Sequence, residues 1–156
     1  MTPRPALANN LWLAASLPEW MRFRYAAHRV EATQRQLLTN YVRDNAATAF
    51  GREHRFAKIR SWEEFTEQVP VRPYEEFEPW IGQIATGTTN VLTAESVNLL
   101  EPSSGSLGAE KWIPYTASLQ AEFRRAVAAW ITDLFFEHPA LKAGRAYWSL
   151  TPPAQR

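Results

Sequence analysis

The sequence predicts an α/β fold in which a helical N-terminal lobe, residues 1–88, leads into the start of a mixed sheet, residues 89–156. Three observations carry that expectation: capped and amphipathic segments of helical period fill the first part, three short β-prone runs follow Gly87, and a long apolar stripe of helical period then separates them from a further aromatic run. With 156 residues, 46% of them apolar, the chain has the length and composition of one domain with a core.

Leu7 to Ala15 and Pro18 to Ala27 are expected as two short helices, Pro18 being suited to a first helical turn and the Trp12, Trp20, Met21 and Phe23 cluster needing burial. Val30, Leu37, Leu38, Tyr41, Val42 and Ala46 then recur at three- and four-residue steps, and Gly51 stands where a C-cap would, so one long helix is expected over residues 30–50. Ser61-Trp62-Glu63-Glu64 spells a capping box, with Ser61 accepting from the amide of Glu64 and Glu64 reaching back, and a short helix to Gln68. Pro73 is expected to open another helix, whose first turn carries Glu75, Glu76 and Glu78, as the positive end of a helix favours, and whose apolar side is Trp80, Ile81 and Ile84 before Gly87.

After Gly87 the β-prone runs are Asn90 to Leu92, Val97 to Leu100 and Lys111 to Tyr115, the last two expected as antiparallel neighbours. Leu119, Phe123, Val127, Trp130, Ile131 and Leu134 predict a helix over residues 117–136, ended by Pro139, and Ala146 to Leu150 has the texture of a strand. Strand, helix and strand in that order imply a right-handed crossover. So few strands, with an aromatic one at the end and nothing to cover it, are what an N-terminal piece of a larger domain would show.

Seventeen Lys and Arg against sixteen Asp and Glu give a net charge of +1, distributed as +6 over residues 1–60, −7 over residues 61–101 and +2 over residues 102–156. That balance does not suit a polyanion or a membrane surface as partner, and neither nucleic acid nor membrane is expected. The apolar piece Leu11 to Leu17 is interrupted by Pro18, Glu19 and Arg22, well short of a bilayer span. The absence of cysteine removes disulfides, thiolate zinc sites and a cysteine nucleophile, and favours a cytoplasmic setting. The acidic block is accounted for as two helix starts, so no metal site is assigned there, and His28, His54 and His138 are given structural roles.

The stretch Ser103-Ser104-Gly105-Ser106-Leu107-Gly108-Ala109-Glu110-Lys111 concentrates three hydroxyls, two glycines and a lysine between two β-prone runs. Glycines let backbone amides turn inward, hydroxyls add donors, and a lysine supplies a point charge, so such a loop can cradle phosphate; it can equally be a hairpin turn. The Walker, dinucleotide and nucleophile-elbow spacings are not met here.

Ser103-Ser104-Gly105-Ser106-Leu107-Gly108 with Lys111 resembles the phosphate-binding loop of the adenylate-forming, firefly-luciferase-like enzymes. Phe50-Gly51-Arg52, Phe56, Ile59, Phe65, Val69-Pro70-Val71, Tyr74-Glu75-Glu76, Pro79-Trp80-Ile81, Gly87, Asn90-Val91-Leu92 and Ile113-Pro114-Tyr115-Thr116, in that order, resemble the auxin-responsive acyl-acid-amido synthetase family. Leu107 departs from the pattern, standing where a Ser or Thr is usual.

The resemblance implies an incomplete, N-terminal part of the adenylate-forming large domain, with the remainder and a C-terminal domain lying beyond it. The implied activity is that of a ligase using ATP and Mg²⁺, which adenylates a carboxylic acid and passes the acyl group to an amine or amino acid. Ser103, Ser104, Ser106 and Lys111 would then be phosphate ligands and Gly105 and Gly108 conformational; no catalytic residue is assigned, and the isolated chain is expected to be inactive. The contrasting expectation is a stand-alone α/β protein-interaction module whose Ser-Gly stretch is only a turn.

Overall fold

The computed structural model describes residues 3–103 and 111–148. The helices are α1 (Pro3–Ala27), α2 (Val30–Asp44), α3 (Ala49–Glu53), α4 (Trp62–Gln68), α5 (Glu78–Ala85) and α6 (Ala117–Glu137), with 3-10 turns at Phe56–Lys58, Tyr74–Glu76 and Pro139–Ala143. The strands are β1 (Val97–Ser103) and β2 (Lys111–Thr116). The described chain divides into two compact units, residues 3–30 with 118–148, and residues 31–103 with 111–117.

In the first unit, the two short helices expected around Pro18 are one helix, α1, with Pro18 inside it. An interior proline removes one backbone donor and costs about 3 kcal/mol. Packing on both sides of it offsets that cost: Trp12 meets Phe135 edge-on at 6.2 Å, Trp20 meets Phe136 at 5.1 Å, and the Trp20 indole N–H donates to Asp133 at 3.1 Å. Asn9 fastens the start of α1 by donating to the carbonyls of Lys142 and Gly144 at 2.9 and 3.0 Å.

α6 forms as expected, but its buried side is Ala129, Ile131, Thr132 and Phe135, while Phe123 and Trp130 from the expected apolar stripe are exposed. Ala146 to Trp148 form no strand, and the rest of that expected run lies outside the described residues. Trp148 instead packs against Trp12 and Trp130, with centroids at 6.0 and 6.4 Å, so aromatic contact and not a ladder places this segment. The crossover expected from strand, helix and strand is therefore not formed among the described residues; the sheet there is a two-stranded antiparallel pair, with no mixed character.

The second unit holds a core of Val42, Phe50, Phe56 and Ile59, with Leu38, Phe65, Phe77, Trp80 and Leu92 packed on it. The helix expected over residues 30–50 breaks at Asp44, because the next residues make a turn with better local partners. The Thr48 hydroxyl donates to the Asn45 carbonyl at 2.8 Å and accepts from the Gly51 amide at 2.9 Å, capping α3. The Asn45 side chain in turn accepts from the Ala94 amide at 2.9 Å. Gly51 is thus inside α3 and not a C-cap, and a Cβ there would run into the Asn45 carbonyl oxygen.

Asn90 to Leu92, expected to be β-prone, serves the same junction without being a strand. Asn90, at φ 56°, and Val91 offer their carbonyls to the Ala49 and Phe50 amides at 2.8 and 3.1 Å. Those amides are first-turn donors of α3 with no intrahelical acceptor.

The Ser61 cap forms, its hydroxyl accepting from the Glu64 amide at 3.2 Å, but the reciprocal half of the expected capping box does not: the Glu64 carboxylate reaches one residue further back and accepts from the amide of Arg60 at 2.6 Å. The segment after Pro73 is a 3-10 turn followed by α5, with Pro79 near the start of that helix. α5 closes on a Schellman pattern: Thr88 N–H donates to Gln83 and Gly87 N–H to Ile84, both at 2.9 Å, with Gly87 at φ +91°.

Candidate functional site

β1 and β2 pair antiparallel as expected, in the register Leu99↔Tyr115, Leu100↔Pro114, Glu101↔Ile113, Pro102↔Trp112 and Ser103↔Lys111. An irregularity between Val97 and Leu99 shifts the start of the ladder. Ser103 and Lys111, the two ends of the predicted phosphate loop, are therefore cross-strand neighbours. Ser104, Gly105, Ser106 and Gly108, with Leu107, lie outside the described residues.

Behind this mouth stands a residue the sequence did not single out as part of the site. Tyr74, 38 positions from Trp112, accepts at its hydroxyl oxygen from the Trp112 amide at 2.7 Å and donates to the Trp112 carbonyl at 3.3 Å. Trp112 lies opposite Pro102 in the ladder, and the tyrosine hydroxyl engages both of its backbone polar groups. The Tyr74 ring also carries the Lys111 ammonium 5.5 Å from its centroid. Beside it runs an open groove of about 240 Å³ between Tyr74, Glu78, Ile81, Gly82, Leu100 and Trp112.

Lys111 is exposed, Tyr74 and Ser103 are half-buried, and among the described residues no carboxylate pairs with Lys111. Glu76, on the same turn as Tyr74, faces Arg72 at 3.9 Å instead. A cation and a hydroxyl together suit phosphate oxygens, the first as a charge and the second as a donor. Among the described residues no three His, Cys, Asp or Glu side chains gather around one position.

His54 has a structural explanation. It is buried, its Nδ1 lies 2.8 Å from the Gln68 carbonyl, and its Nε2 faces the Arg72 guanidinium at 3.3 Å, which can only donate. The imidazole thus ties α4 to the segment after it and packs on Phe50 at 4.3 Å.

The profile of the GH3 family N-terminal domain matches residues 20–155, and the chain belongs to that family. It is similar to the indole-3-acetic acid-amido synthetase GH3.5 of Arabidopsis thaliana, with 26% identity over 122 residues, a match covering 77% of this chain and 20% of that protein. The chain spans about a fifth of the length of that relative. Among the described residues no helix is long and apolar enough to cross a membrane.

Proposed function

We propose that this chain supplies the phosphate-binding end of the active site of an ATP-dependent acyl-acid-amido synthetase, as the N-terminal part of one adenylate-forming domain. The observation that carries the reading is the cross-strand placement of Ser103 and Lys111 at the mouth of a loop of hydroxyl-bearing residues and glycines. The reaction has two steps. A carboxylate oxygen attacks the α-phosphorus of ATP, the bond to the bridging oxygen breaks, and pyrophosphate leaves; an amine nitrogen then attacks the acyl carbonyl, AMP departs, and the nitrogen loses a proton.

In the first step negative charge grows on the departing β- and γ-phosphates. Lys111, Ser103, Ser104 and Ser106 would donate to those oxygens, and Gly105 and Gly108 would let the loop amides approach them. Mg²⁺, arriving on the triphosphate, would neutralise part of that charge. The carboxylic acid and the amine or amino acid would be held by parts of the enzyme beyond this chain, so the 156-residue chain itself should not adenylate.

The test is acid-dependent exchange of pyrophosphate into ATP by this chain joined to the rest of a GH3 synthetase. Lys111→Ala should slow exchange about 10²- to 10³-fold, as loss of one preorganised electrostatic contact does. Amide formation from a pre-made acyl-adenylate should be unchanged. Exchange at the same rate in the variant would leave the loop as a turn.

A further inference from the structure

We infer that Tyr74 is a positioning residue for Lys111: its ring holds the ammonium at the mouth of the loop while its hydroxyl fixes the backbone one residue further on, so the lysine is presented to phosphate before phosphate arrives. This rests on the phosphate reading proposed above.

A free lysine samples many rotamers and loses that freedom when it binds, so anything that narrows the ensemble in advance improves affinity. Tyr74 restrains Lys111 at two points. The hydroxyl engages both polar groups of Trp112, which fixes the strand where the lysine side chain begins. The ring face, 5.5 Å from the ammonium, restrains the far end.

An aromatic face is suited to this task in a way a carboxylate is not. Glu75, Glu76 and Glu78 lie on the same segment, yet Glu76 is turned to Arg72, and among the described residues none of the three pairs with Lys111. A carboxylate would neutralise the ammonium and compete with the incoming anion. The ring's attraction is weak enough for a triphosphate to overcome and leaves the full positive charge available.

Inorganic tripolyphosphate titrated into the 156-residue chain separates this role from simple edge-capping through a double-mutant cycle. Tyr74→Leu should weaken binding about two- to fivefold when Lys111 is present, the range expected for an exposed cation over a ring, and leave it unchanged in a Lys111→Ala background. Tyr74→Phe, which keeps the ring, should fall between wild type and Tyr74→Leu. Independently of any ligand, NMR should show the Lys111 ε-methylene protons shifted by the ring in wild type and Tyr74→Phe, and unshifted in Tyr74→Leu.

Equal weakening by Tyr74→Leu in both backgrounds, or a Lys111 signal indifferent to position 74, would overturn the positioning role while leaving the phosphate reading in place. No loss of affinity on Lys111→Ala would remove the phosphate reading and this inference with it.

Discussion

The hydroxyl of Tyr74 holds both backbone polar groups of Trp112, at 2.7 and 3.3 Å, across 38 residues of sequence. One side chain thereby fixes β2 to the segment leading into α5 at the point where the Ser-Gly stretch ends.

Removing that hydroxyl leaves a strand edge without its partner. Tyr74→Phe should lower the stability of the chain by about 1 to 2 kcal/mol, most of it the cost of backbone groups losing their bonds. Urea unfolding followed by tryptophan fluorescence would measure it, with an unchanged midpoint counting against the clamp.

Two glycines should fail for different reasons. Gly51→Ala places a methyl group against the Asn45 carbonyl inside the α2–α3 junction, and overpacking of this kind costs about 1 to 3 kcal/mol or more. Gly87→Ala meets no atom of the described residues within 4 Å but must hold φ +91°, at a cost of about 1 to 2 kcal/mol. Gly87→Asn should recover part of that loss and Gly51→Asn none, which thermal melts of the four variants would show.

Thr132 is fully buried in α6, and among the described residues its hydroxyl has no hydrogen-bond partner. Thr132→Val keeps the shape and removes the orphaned polar atom, so it should stabilise the chain by about 1 kcal/mol. A destabilised variant would mean that the hydroxyl has a partner, such as an ordered water.

At the start of α4 the Glu63 carboxyl is held below its ordinary value of 4.5, chiefly by its own backbone N–H, then by the Ser61 hydroxyl, with Arg35 adding a smaller attraction. A folded value below the unfolded one means the carboxylate stabilises the fold above pH 4.5 and loses that contribution as pH falls through the lowered value. Glu63→Gln should therefore flatten the dependence of Tm on pH below 4.5, while the two proteins keep parallel profiles from neutral pH down to that point.

The parts of this structure legible in the sequence are those set by near neighbours. The hairpin follows from two β-prone runs around a Ser-Gly stretch, and the Ser61 cap from four adjacent residues. What escaped depends on distant partners. Nothing near Pro18 reveals that Phe135 and Phe136 will hold α1 together across it, and nothing near Gly51 reveals that Asn90 and Val91 will supply acceptors to α3. Tyr74 was visible only as one residue of the family pattern; its work at Trp112 and Lys111 depends on a tertiary contact that no local spacing encodes.

The central claim, that Lys111 faces phosphate, can be read from the lysines alone, because the chain has only Lys58 and Lys142 besides it. Reductive methylation of the 156-residue chain, with and without tripolyphosphate and quantified by mass spectrometry, reports each one separately. The account predicts that tripolyphosphate slows labelling of Lys111 while Lys58 and Lys142 react as before. Labelling of Lys111 at an unchanged rate, or equal protection of all three, would contradict it.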